Sequence, residues 1–135
     1  MKKIFATVTR LSAFLVAVVA VGLFISGGIT AAHPALIANQ AVPTPGALLD
    51  TAPTQVKLTF TVENGLVAEQ SFFWVYSQVG LTVLASGSVD LSNADRNTMI
   101  ANLPALTHGV YVVKWVAISK SDTGFSEGSY SFAVK

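Results

Sequence analysis

An all-β Greek-key sandwich of about seven strands is the fold predicted from this chain, and three observations predict it. Apolar and polar residues alternate at period two in several stretches beyond residue 50. Clusters of Gly, Pro, Asn and Asp punctuate the intervals between them, and no amphipathic helical pattern follows Ala32.

The elements are justified in order. "VPTPGALLDTAP" is a turn-rich entry, punctuated by Pro43, Pro45, Gly46 and Pro53. In "TQVKLTFTV" the residues Val56, Leu58, Phe60 and Val62 alternate with Gln55, Lys57, Thr59 and Thr61, so one face is core and the other is wet. "SFFWVYS", residues 71–77, is a short aromatic and β-branched run and reads as a strand buried on both sides. "LTVLASGSV" and "NTMIANL" are weaker strands on either side of the polar turn "DLSNADR". The longest strand is "GVYVVKWVAIS", with Tyr111, Val113, Trp115 and Ala117 on one face. "GSYSFAVK" closes the chain with Tyr130, Phe132 and Val134 inward and Ser129, Ser131 and Lys135 outward. The aromatic residues Phe72, Phe73, Trp74, Tyr76, Trp115 and Tyr130 are expected in the core of such a sandwich.

The first 32 residues have the three parts of a secretory signal peptide. These are basic Lys2 and Lys3, the uncharged apolar run 11–29, and small residues at Thr30 and Ala32. Cleavage after Ala32 would make His33 the first residue. The rival reading is an uncleaved anchor, since the run approaches the roughly 18 to 20 apolar residues that span a bilayer; Gly27 and Gly28, which break a helix where a peptidase needs extended chain, favour cleavage. The domain layout is then residues 1–32 as signal peptide and 33–135 as one β-sandwich.

Beyond Ala32 five basic and seven acidic residues leave a charge of −2, without basic clusters, which argues against nucleic-acid binding. The chain has no cysteine, so disulfides, thiolate metal sites and a cysteine nucleophile are excluded. It also has no phosphate loop, and no enzyme activity is expected. Residues 1–135 contain two histidines, His33 and His108. His108 precedes the longest strand, whose other end leads to Asp122 about 30 Å away, and is read as a turn residue.

The sequence "AH" after the apolar run, "PTPGALL", "TAP", "VKLTF", "LPALTHGVYVVKW" and "GSYSFAV" together resemble the CopC-type copper-resistance domain over nearly all of residues 33–135. The resemblance implies a small periplasmic immunoglobulin-like or cupredoxin-like β-sandwich that binds Cu(II) through an N-terminal histidine and an Asp-Gly-His motif. Carried onto this chain, His33 and Asp122 are the implied metal ligands, and Gly124 stands where the family has its second histidine. Cu(II) prefers a tetragonal set of nitrogen and oxygen donors, and the α-amine and imidazole of His33 with the Asp122 carboxylate supply three. A methionine-rich Cu(I) site is not expected, because after Ala32 only Met99 remains.

Under this resemblance the chain is an exported copper carrier or buffer with a weakened site, acting in copper homeostasis and resistance. Its expected partners are the copper ion and a membrane copper-transport protein, and it is expected to be a monomer that touches the membrane only through an uncleaved signal peptide. The alternative is a metal-free β-sandwich serving as a protein-interaction module of the cell envelope.

Overall fold

The structure is a computed structural model that describes residues 33–135, so the expected signal peptide lies outside the described residues. The described strands are β1 (Ala35–Leu36), β2 (Leu48–Leu49), β3 (Gln55–Thr61), β4 (Phe72–Ser77), β5 (Val83–Val89), β6 (Thr98–Asn102), β7 (Gly109–Ile118) and β8 (Phe125–Val134). A single 3-10 turn, Ala38–Gln40, follows β1. No helix among the described residues is long and apolar enough to cross a membrane.

The strand order is β1-β3-β6-β5-β4-β7-β8-β2 in one curled sheet. Strands β4, β5 and β6 form an antiparallel meander, and β3 returns to pair with β6 from the far side. That order is the Greek key expected from the sequence. Curling brings the inner faces of the sheet's two halves together. Phe60 of β3 meets Trp115 of β7 edge-on, with ring centroids 6.3 Å apart. Leu58, Phe60, Phe73, Val75, Met99, Val113 and Phe132 are essentially inaccessible to solvent and form the shared core.

The period-two reading holds along β7, the second half of β8 and β3 except at Thr59, which was expected on the wet face but is buried where the segment after β1 runs beside it, the Ile37 amide donating to the Thr59 carbonyl at 2.8 Å. Val56, Leu58, Phe60, Tyr111, Val113, Ala117, Phe132 and Val134 are buried, whereas Lys57, Lys114 and Ser131 are exposed. Two glycines make close packing possible. Gly128 pairs with Trp115 and Gly87 with Phe73, and a Cβ at either would run into the facing ring. Each glycine is the hollow that receives an aromatic side chain.

Three expectations are corrected. The run 71–77 is buried on one side only: Phe73 and Val75 enter the core, while Phe72 is exposed and Trp74 and Tyr76 are half-buried on the outer face. Strand β4 is central in the sheet, between β5 and β7, but nothing among the described residues covers its outer face. The expectation that all six aromatic residues pack the core therefore fails for Phe72, Trp74 and Tyr76. Strand β8 starts at Phe125 rather than Gly128, because the ladder with β7 continues through Glu127–Val116, Ser126–Ala117 and Phe125–Ile118. Pairing against a long strand outweighs the poor strand propensity of "FSEG". The two-residue strands β1 and β2 had no periodic signal, since two residues carry none.

Candidate metal centre

The connection from β7 to β8 occupies residues 119–124 and is held by local hydrogen bonds. The Ser119 amide donates to the Gly124 carbonyl at 2.8 Å, and the Thr123 amide donates to the Ser119 carbonyl at 3.0 Å. Within the loop the Gly124 amide donates to an Asp122 carboxylate oxygen at 2.9 Å. This short side-chain-to-backbone bond is the reason an aspartate suits the turn. The Asp122 carboxyl is held below the usual carboxylate range. The Gly124 amide is the largest cause, partial desolvation opposes it, and the Ser119 hydroxyl and the charge of His33 lower it further. Asp122 is thus an exposed carboxylate within electrostatic reach of His33.

The position of His33 follows from β1. Ala35 pairs with Thr61 and Leu36 with Phe60, and Pro34 is buried, so His33 emerges exposed where β3 ends. At the same end the loop after β3 is tied to the β7–β8 connection by the Leu66–Ser119 bridge and by the Lys120 amide donating to the Gly65 carbonyl at 3.0 Å. The Leu66 amide donates to the Arg96 carbonyl at 2.9 Å, which fastens the β5–β6 turn there as well. Three loops and the start of β1 converge on one pole, and His33 and Asp122 stand on it.

The other candidate positions add no side-chain ligand beside His33 and Asp122 among the described residues. Gly124 is buried and offers its amide to Asp122, so the position where the resemblance implies a histidine supplies a backbone hydrogen bond instead. Glu127 lies within β8 opposite Val116. His108 is exposed just before β7, at the strand's other end. Among the described residues no group of three or more His, Asp or Glu side chains is placed to hold a metal ion. Of the implied ligands, His33 provides one imidazole and Asp122 one carboxylate. A third donor requires a free α-amine on His33, whose reference pKa of roughly 7.7 to 8.0 allows a metal to displace its proton near neutrality.

Beside the pole lies an open cleft of about 500 Å³ whose lining includes Asn64, Leu66, Glu69, Arg96 and Lys120. Two cations against one carboxylate make it unsuited to a metal ion. The sequence reading did not single out Arg96 or Lys120, because what joins them is backbone hydrogen bonding between loops, which leaves no pattern in the residue order.

A family model described as "CopC domain" matches residues 38–135. The chain is similar to the solved structure of CopC from Methylosinus trichosporium OB3b, at 26% identity and a TM-score of 0.65, over 76% of this chain and 94% of that one. It is also similar to PcoC, a methionine-rich copper resistance protein from Escherichia coli, at 28% identity and a TM-score of 0.57, over 77% of this chain and all of that one. No curated protein matches it.

Proposed function

The chain belongs to the CopC domain family, and from that premise we propose that it is an exported, periplasmic copper-binding protein. It serves as a Cu(II) carrier or buffer in copper homeostasis and resistance. The observation that carries this reading is the convergence of the segments bearing His33 and Asp122 on one pole, where the charge of His33 is among the lesser causes that lower the Asp122 carboxyl. With residues 1–32 removed as a signal peptide, the amine and imidazole of His33 and the carboxylate of Asp122 provide three of the tetragonal nitrogen and oxygen donors that Cu(II) prefers. Gly124 supplies no imidazole, so the site is weaker than one with two histidines.

Cu(II) rather than Cu(I) is the ion this donor set suits. The relative from Escherichia coli is described as methionine-rich, whereas here Met99 is wholly buried in the core and offers no thioether to solvent. The role is binding and delivery without catalysis, and the recipient is a membrane copper-transport protein. A second reading, a metal-free interaction module of the envelope, is favoured by the absence of a three-ligand side-chain group among the described residues.

Intact mass of the exported protein followed by Cu(II) titration with electron paramagnetic resonance separates the two. Copper carriage requires an N-terminus at His33 and stoichiometric binding with a nitrogen-rich tetragonal spectrum. One extra residue ahead of His33 or His33→Ala should abolish that binding, and Asp122→Ala should weaken it by roughly tenfold or more. Binding indifferent to all three changes, or none at all, leaves the interaction module.

A further inference from the structure

The hairpin joining β4 to β5 is apolar where it meets solvent: Val79, Leu81 and Val83 are 84%, 71% and 60% exposed. The Ser77 amide donates to the Thr82 carbonyl at 3.0 Å across the turn, and the Gln78 amide donates to the Val110 carbonyl at 3.0 Å, which brings exposed Val110 beside the tip. Leu81 has φ +51. Such left-handed backbone favours Gly, Asn or Asp, and a leucine there is strained. One residue therefore breaks two local rules, in its backbone and in the exposure of its side chain. It reaches only a shallow cup of about 260 Å³ shared with Trp74, Tyr76, Val83 and Lys114. Outliers of this kind collect where a surface is used for something besides folding.

Behind the tip the chemistry changes in order along the outer face. Tyr76 and then Trp74 follow, half-buried, with Phe72 stacked on Trp74 at a centroid distance of 5.7 Å. The Lys114 ammonium stands 5.8 Å from the Trp74 ring. Residues 71–89 contain no Asp, Glu, Lys, Arg or His. The charged groups that share this face across the sheet are Lys114, Glu127, which stands opposite Val116 towards the far end of β7, and Lys57, in register with Ser88 through Ile100, while His108 lies just before β7. Aliphatic tip, aromatic collar and lysine reproduce the sequence of environments met on entering a bilayer from its apolar side: hydrocarbon, interface and headgroup phosphate.

We propose that the β4–β5 hairpin docks this protein on a phospholipid bilayer. Val79, Leu81 and Val83 enter the acyl boundary, Trp74 and Tyr76 sit at headgroup level, and Lys114 reaches the phosphates. A second copy is the poorer occupant, because a two-fold contact would set Lys114 against its own equivalent with Glu127 too far along the face to lie between them. Docking leaves the His33 and Asp122 pole facing away from the membrane, at the other end of a ten-residue strand that spans about 30 Å. The proposal does not depend on copper.

The test uses residues 33–135, the part that matches a complete solved chain over its whole length, with vesicles of phosphatidylethanolamine and phosphatidylglycerol. The chain should float with the vesicles and its Trp74 fluorescence should shift to the blue. Val79→Ser with Leu81→Asn should cut the partition coefficient roughly tenfold or more. Val42→Ser, which removes an apolar side chain 50% exposed elsewhere, should leave it unchanged. The proposal is overturned by absence of flotation and blue shift, by binding that survives the double change, by equal loss in Val42→Ser, or by a lipid-free dimer that the tip variant dissolves. Should the double variant unfold, the blue shift of the unchanged protein and its disappearance in Trp74→Phe decide the matter.

Discussion

Asp90 and Asp122 show one device used in two turns: a carboxylate accepts hydrogen bonds from the residue two positions on and is held below its usual pKa. For Asp90 the Ser92 hydroxyl is the largest cause, at 2.6 Å, followed by the Ser92 amide at 2.9 Å. A carboxyl whose folded pKa is depressed contributes stability that is present above its unfolded value, near pH 4, and that is lost as pH falls through the folded value. Asp90→Asn should therefore flatten the acid side of the stability curve, which urea midpoints at pH 7 and pH 3 would show as a smaller difference than in the parent. Leu81 shows the opposite situation, a residue kept against its turn's preference. Leu81→Asn should raise stability by about 1 kcal/mol, because asparagine tolerates left-handed backbone and little buried area is lost. Thermal unfolding would detect a loss instead, if the side chain packed more than its exposure indicates.

At the scale of elements, the pair β7–β8 carries the architecture and the candidate site together. Its ten-residue ladder ends in the connection that presents Asp122, so the carboxylate inherits the rigidity of the longest pair in the sheet. Within that ladder the Trp115 ring lies over Gly128 and is also held between Phe60 and Tyr130, with centroid separations of 6.3 Å to each. Gly128→Ala should cost about 1–3 kcal/mol, since the new methyl group would run into a ring already flanked by Phe60 and Tyr130. Denaturant unfolding measures this, and the accompanying loss of near-ultraviolet tryptophan signal locates it. Strand β4 shows the limit of reading elements from composition. "SFFWVYS" is apolar at nearly every position, and apolarity says that a strand forms, whereas which of its faces is covered depends on what packs above it.

At the scale of the whole molecule, the two halves of the curled sheet are continuous through the β4–β5 ladder and meet again across the core through side chains. Phe60, fully buried and in contact with Trp115 across the core, is the clearest junction. Phe60→Ala should lower unfolding free energy by about 3–5 kcal/mol and shift all spectroscopic transitions together, as expected of one cooperative core. Tyr130 adds a polar tie: its hydroxyl donates to the Pro43 carbonyl at 2.8 Å, and burial raises its pKa, so the bond persists through neutral pH. Six of the eight described strands were legible in the sequence: β3, β7 and β8 as alternation, because a half-buried strand must repeat every two residues whatever surrounds it, β4 as a short apolar run, and β5 and β6 as weaker candidates flanking a polar turn. The candidate ligands His33 and Asp122 were legible through family resemblance. Their meeting was not, since 89 residues separate them and only the pairing of β1 with β3 and the bridge from Leu66 to Ser119 bring their segments to one pole. The sequence by itself determined an all-β chain, its long strands and the residue types available to a metal. Tertiary structure alone decided which aromatic residues face solvent, which loops share an end and where Arg96 and Lys120 stand, because these depend on contacts between segments far apart in the chain, and such contacts leave no periodic trace in the order of residues.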